Sequence, residues 1–390
     1  MNWDFDVAIV GGGPAGTSTA LHLVRREGIS PSRIVMLEKA RHPRDKPCAV
    51  AVSAWGVRAL AAIDVGLDVP HVAIRGLRVL TADGVGTESA SLGVVVRRCE
   101  LDASLWGVAR ADGVAAYDGE PLLGLERGPG GWCLTTPHRA LTARLVAACD
   151  GAGSTVRKLL GVRESARKGH LYVAETPVRP GDAGPNAGLC DFDLRVADDG
   201  VEGYYWDFPT VVGGALSVSR GIYHANFTPR PDLKRHLARS LASRGVDIAR
   251  LKLKPFSTRP LVPGACLSLR GLALVGEAAG IDATTGEGIA QAILMGGVAE
   301  KHLARALRVG DQRLDGYGPE VTGTAVGRHL LQSAWLARRV YGAGGATWRA
   351  FLAREQAALE AGARWYAGER LGWKAKARLG AKLAVALAHL

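Results

Sequence analysis

Residues 7–23 read VAIVGGGPAGTSTALHL. A run of small aliphatic residues ends at three glycines and resumes with helical character. A strand that passes through a glycine turn into a helix N-terminus is a cradle for phosphate. Gly11, Gly13 and Gly16 have the spacing G-x-G-x-x-G, with Pro14 and Ala15 between the last two. The first glycine permits the tight turn, the second lets backbone approach a pyrophosphate, and the third lets helix and strand pack closely. Pro14 costs nothing in the first helical turn, where its missing N–H has no partner to lose. Strand FDVAIV (5–10), a helix from Pro14 to Glu27 and strand IVMLE (34–38) make a βαβ unit. Glu38 ends that second strand, where a carboxylate can accept hydrogen bonds from ribose hydroxyls, and Lys39 follows it. This unit alone fits NAD as well as FAD, so the rest of the chain must decide.

The 390 residues allow two or three domains. Formal net charge is +12, but the cations are spread out except toward the C-terminus, and aromatics make up 6% with no basic run interleaved among them. That disfavours nucleic acid as a partner. The six cysteines, Cys48, Cys99, Cys133, Cys149, Cys190 and Cys266, show no C-x-x-C and no paired histidines at ligand spacing, so neither a metal site nor a disulfide framework is expected. The first strand begins within five residues of Met1 and no long uninterrupted apolar stretch occurs. The expected location is cytoplasmic.

Residues 72–97 and 170–220 read as short strands separated by turn residues, and from Ile289 onward the pattern is almost wholly helical. The predicted fold class is α/β: a Rossmann-like nucleotide-binding domain from residues 1–70, 98–165 and 255–310, a β-sheet substrate domain from 71–97 and 166–254, and a helical C-terminal region from 311–390. The last helix, GWKAKARLGAKLAVALAHL (372–390), is cationic and places Trp373, Leu379, Leu383 and Leu387 at helical spacing. Such a stripe packs on its own protein or lies on an anionic bilayer, so peripheral membrane contact is an open expectation.

Two later segments repeat the strand, turn and helix pattern: ACDGAGSTVRKLLG (148–161) and LVGEAAGIDATTGEGIAQAI (274–293). Three chain-distant loops of this kind suit one long dinucleotide. With them the chain resembles the flavoprotein group of aromatic hydroxylases, flavin halogenases and geranylgeranyl reductases. The resemblance implies a glutathione-reductase/p-hydroxybenzoate-hydroxylase-like fold with FAD as cofactor. It places Asp150 and Gly151 near the pyrophosphate. Gly276 and Glu277 stand where the group has Gly-Asp against the ribitol, and Arg98, in RCELD (98–102), stands where relatives use an arginine at the FAD phosphates or ribityl region.

Three stretches point to the geranylgeranyl reductases in particular. PRDKPCAVAVS (43–53) resembles the segment whose basic residue and cysteine precede the flavin, which implies roles for Arg44 and Cys48, the latter also as a candidate catalytic thiol. The group continues there with glycines, whereas this chain has Ala49, Val50 and Ala51. GYYWDFP (203–209) matches Y-x-W-x-F-P through Tyr204, Trp206, Phe208 and Pro209, and TTGEGI (284–289) matches T-G-E-G-I. Tyr204, Trp206 and Phe208 alternate along a strand and suit the wall of an apolar pocket. Thr285, Gly286, Glu287 and Gly288 precede the helix that starts at Ile289. Their amides and the helix dipole can face the negative charge of a reduced isoalloxazine.

The expected function is an FAD-dependent oxidoreductase acting on a small apolar, isoprenoid-like or aromatic substrate, with NAD(P)H or another donor as a transient reductant. The alternative is a monooxygenase that activates oxygen at flavin C4a and hydroxylates or epoxidises its substrate. A halogenase or a non-catalytic flavin binder is weaker, since halogenases of this kind need a lysine in the first third of the chain and none occurs between Lys46 and Lys158.

Overall fold

The computed structural model describes residues 3–164, 167–229, 231–342 and 344–388. Two eight-stranded sheets organise the chain. In the first, Phe5–Val10 lies between the parallel strands Ile34–Glu38 and Ala140–Ala148. Ala115–Asp118 extends it on one side and Leu272–Leu274 on the other. Ile34–Glu38 is buried along its whole length, as a parallel strand covered on both faces must be. Helix Pro14–Arg25 packs against helix Ile289–Val309, where Ser18 Oγ donates to the Ile293 carbonyl at 2.8 Å. Gly296 permits this approach: a Cβ there would stand 2.7 Å from Ser18 Oγ.

The second sheet runs Lys254–Thr258, Gly169–Pro177, Ala215–His224, Gly203–Val212, Leu189–Asp193, His71–Thr81, Gly84–Val96, Ala51–Ser53. Its pairs are antiparallel except Leu189–Asp193 with His71–Thr81. Alternation along Gly203–Val212 sends Tyr204, Trp206 and Phe208 into one apolar cluster, while Tyr205 joins another beneath helix Leu233–Ala242. Four buried or half-buried charges, Asp207, Arg220, Asp182 and Arg244, pair on that second face. Short strands Ala51–Ser53 and Lys254–Thr258 both belong to this sheet although their sequence neighbours serve the nucleotide-binding part. Within the stretch 170–220, the strand Leu189–Asp193 ends where the Asp193 side chain accepts from Arg195 N at 3.1 Å and starts a 3-10 turn.

Helices Ala325–Tyr341, Gly345–Arg354 and Gln356–Tyr366 cover the first of those two faces, with Ala337, Val340, Tyr341, Leu359 and Ala363 in one cluster with Trp206 and Phe208. The helical C-terminal region therefore covers the apolar face of the second sheet. Among the described residues no helix is long and apolar enough to cross a membrane.

Candidate functional site

The glycine turn is built as its spacing requires. A Cβ at Gly16 would overlap the Gly11 carbonyl, and one at Gly11, whose φ is +112°, would overlap the Cys149 carbonyl on the neighbouring strand. Gly12 packs on the Trp106 ring. Gly13 differs: its φ of −89° suits any residue, and a Cβ there would meet only the flexible ends of Arg44, Arg98 and Asp102, at 3.3, 3.6 and 3.9 Å. The fold does not need a glycine at this position, whereas a ligand approaching the amide would.

Charges of both signs surround Gly13. Arg98 holds Asp102 bidentately across one helical turn, and Arg44 reaches Asp102 Oδ2 at 3.0 Å and Glu38 Oε2 at 3.3 Å. Burial works against the Asp102 carboxylate, but Arg98, then Arg44 and Lys46, outweigh it and hold the acid below its usual range. Glu38 accepts from Gly12 N at 2.8 Å and Ala40 N at 3.0 Å, so its oxygens are fixed at the cavity edge with lone pairs to spare. Lys39 is exposed at the rim.

Asp150 and Glu277 approach from the other side. Asp150 Oδ2 accepts from Val156 N at 3.0 Å, whereas Oδ1 is buried without a partner among the described residues. Burial raises this acid above its usual value. An orphaned carboxylate oxygen on a cavity wall is a place for a ligand hydroxyl or ordered water. Glu277 Oε2 stands 3.5 Å from Lys46 Nζ, and Gly276, at φ +61°, lets the backbone turn above Ala15. Burial, and then repulsion from Arg98, lowers the Lys46 ammonium below its usual value.

The turn 282–288 is the most heavily tied segment of the site. Asp282 accepts from Thr284 N at 2.6 Å, Thr285 N at 3.3 Å and Thr285 Oγ1 at 2.5 Å. Ser333, on helix Ala325–Tyr341, donates to Asp282 and accepts from Ala283 N and Thr284 N, both at 2.9 Å. Tyr204, Tyr341 and Tyr223 donate to the carbonyls of Thr285, Thr284 and Ala283, at 2.5, 2.7 and 2.9 Å. The four amides expected to face an anion are thus not all free. Thr285 N is spent on Asp282 and Glu287 N on Thr285 Oγ1 at 3.2 Å, while those of Gly286, Gly288 and Ile289 have no acceptor among the described residues. The Glu287 carboxylate folds back to Gln291 Nε2 at 2.7 Å and Ala290 N at 3.3 Å.

One cavity of about 420 Å³ runs past these loops. Gly11, Gly13, Pro14, Ala15, Glu38, Lys39, Arg44, Cys48, Arg98, Asp150, Gly151, Glu277, Gly286, Glu287, Gly288 and Ile289 line it. Of the expected cofactor residues, Gly16 and Gly276 stay behind the wall, holding helix to strand and turn to helix. The cavity continues to Tyr204, Trp206 and Phe208, joined there by Phe192, which stands 5.2 Å from Tyr204 and 5.0 Å from Phe208 between ring centroids. Cys48 is partly buried in the wall between the two regions. Val50 adopts φ +64°, a region that β-branched residues avoid.

Sequence reading missed Asp102, Ser333, Tyr341 and Tyr366. Asp102 carried a usable signal, an acid one turn beyond a candidate phosphate-binding arginine. The other three lie in a region whose helical pattern says nothing of what it covers.

Residues 4–180 match the family model described as FAD binding domain. The chain is 27% identical to the digeranylgeranylglycerophospholipid reductase of Thermoplasma volcanium, over 82% of this chain and 81% of that protein. It is 32% identical to a rifampicin monooxygenase of Streptomyces venezuelae, over 40% of this chain and 34% of that one. In fold it is similar to a geranylgeranyl bacteriochlorophyll reductase-like protein of Thermoplasma acidophilum, with a TM-score of 0.71, 21% identity, and 96% and 95% of the two chains covered.

Proposed function

We propose that this chain is an FAD-dependent oxidoreductase of the geranylgeranyl reductase-like and aromatic hydroxylase group, and that it reduces an apolar, isoprenoid-like or aromatic substrate, with NAD(P)H or another donor supplying the electrons. The observation that carries this reading is the continuity of one cavity from the glycine turn, past the 284–288 turn, to an aromatic chamber. Bound FAD supplies the two-electron carrier. Around it Gly13, Arg44 and Arg98 hold the diphosphate and Glu38 the ribose. Asp150, near the diphosphate, would hold an ordered water on its Oδ1, unpartnered among the described residues, and Glu277 would face the hydroxylated linker. The free amides of Gly286, Gly288 and Ile289, at the positive end of a 21-residue helix, stabilise negative charge on the ring. Tyr204, Trp206 and Phe208 exclude water and select an apolar partner, and Cys48 is the candidate thiol beside them.

A monooxygenase reading is favoured by the match to the rifampicin monooxygenase and by the Val50 side chain, which narrows the chamber where glycine would open it. Purified protein with a flavin spectrum, bleached anaerobically by NADH or NADPH, supports the shared core of both readings; colourless protein that ignores added FAD ends them. Oxygen uptake matching substrate-stimulated NAD(P)H oxidation selects the monooxygenase, and substrate reduction without oxygen selects the reductase.

The proposal extends to location: cytoplasmic, with helix Trp373–Ala388 as a peripheral membrane contact. Trp373 is 75% exposed and Lys374, Lys376 and Arg378 are exposed beside it, while Leu379 and Leu383 are half-buried; the Leu387 side chain lies outside the described residues. Co-sedimentation with anionic but not neutral vesicles, lost on removal of residues 373–390, is the expected result.

A further inference from the structure

Four tyrosines surround the 283–287 turn and the aromatic chamber. Tyr204, Tyr223 and Tyr341 each give their hydroxyl hydrogen to a carbonyl of the turn. Trp206 Nε1 donates to Ser219 Oγ at 3.4 Å. Tyr366, the last residue of helix Gln356–Tyr366, is different: it is 8% exposed, lines the cavity, and its hydroxyl has no hydrogen-bond partner among the described residues. The ring is buried, but the hydroxyl oxygen is not fully buried, so it opens to the cavity, where a bound molecule can reach it. Burial drives the phenol far above its usual value, and Glu287 on the turn pushes the same way, so Tyr366 keeps its proton at any working pH. The wall thus presents one unspent aromatic donor.

We propose that Tyr366 Oη donates a hydrogen bond to an oxygen atom of the substrate, so that the chamber takes an apolar molecule bearing a carbonyl rather than a pure hydrocarbon. A carbonyl satisfies the phenol and brings no donor of its own into an apolar space, where an unmatched polar group is costly. The inference rests on the proposed function, since it assumes that the aromatic chamber beside FAD is the substrate site, and it adds the polar feature that the aromatic wall lacks.

The test is a pair of near-isosteric probes, 2-acetonaphthone and 2-isopropylnaphthalene, titrated into FAD-loaded protein while the flavin absorbance is recorded. In wild type the ketone is expected to bind about tenfold more tightly. In Tyr366→Phe that preference disappears, the hydrocarbon binds within twofold of wild type, and FAD content and melting temperature stay the same. An equal loss for both probes makes Tyr366 only a piece of wall and overturns the inference, as does an undiminished preference for the ketone. If neither probe perturbs the flavin of wild type, the chamber is not the substrate site, and the proposed function fails with the inference.

Discussion

Arg98 grips Asp102 with two parallel hydrogen bonds, Nε to Oδ1 at 2.8 Å and Nη2 to Oδ2 at 2.7 Å, one turn apart on helix Arg98–Ala111. Arg44 joins the same carboxylate. This trio sets two cations beside Gly13 while the FAD-free protein stays locally compensated. Replacing Asp102 with alanine leaves the buried Arg98 guanidinium without its anion and Arg44 with Glu38 alone, a loss of order 3–5 kcal/mol for a broken buried pair. The diphosphate of FAD can partly take the place of the lost carboxylate. Denaturant unfolding of Asp102→Ala should therefore show a larger deficit without FAD than with it. Equal deficits would separate this cluster from cofactor binding.

Two alanine substitutions in the opening turn should behave oppositely. At Gly16 a Cβ overlaps the Gly11 carbonyl, so Gly16→Ala must move helix from strand and lower stability by several kcal/mol, on the order of an overpacked core. At Gly13 the backbone is unstrained and the neighbours are flexible side-chain ends. Gly13→Ala should melt like wild type without FAD but bind FAD at least about tenfold more weakly, because the added methyl occupies the diphosphate's approach. Calorimetry of FAD-free protein and flavin titration read the two effects separately.

Much of the cofactor side was legible because its residue types are dictated by geometry that leaves a sequence trace. Gly11 needs positive φ, Gly16 needs space, and Glu38 and Asp150 end parallel strands that point at the ligand. The roles of Tyr204 and Val50 were less visible. Tyr204 was read as pocket wall from the alternation of its strand, yet its hydroxyl also ties down the turn through Thr285, a contact 81 residues distant. Val50 sits at φ +64°, which no property of valine announces. Ser333 and Tyr366 escaped altogether, since a helical period shows which face is buried but not what lies opposite.

Glu287 gives the site a pH dependence. Burial first, and then the nearby Asp282, raise its carboxyl to about 7, against about 4.3 for a free glutamate. The folded protein therefore holds this proton over a range in which the unfolded chain has released it. The stability from the protonated form is complete below about 4.3 and fades as pH climbs to about 7. The loss is at most about 4 kcal/mol. Glu287→Gln should match wild type near pH 4.5 and exceed it at pH 8. Asp191 and Glu300 are also raised to about 7, so only the difference between variant and wild type across pH isolates Glu287. A constant difference across pH would mean that Glu287 is ionised throughout.

Ser333 and Tyr341, both on helix Ala325–Tyr341, tie the turn to the C-terminal helices, and Ser333 makes more of the hydrogen bonds. Its hydroxyl accepts from the amides of Ala283 and Thr284 and donates to Asp282, all buried. Ser333→Ala leaves two amides without that acceptor and Asp282 without one donor, a cost of about 2–3 kcal/mol if no water enters. The turn it holds carries the free amides of Gly286 and Gly288, so their aim should slacken as well. Negative charge on the reduced ring would then be less stabilised, and the flavin should become harder to reduce. Equilibrium reduction of the variant against a reference dye should give a potential below that of wild type. Ser333→Thr, which keeps the hydroxyl, should recover much of the difference. A variant that loses stability but keeps the wild-type potential would make Ser333 a purely structural tie and would place the ring's stabilisation elsewhere.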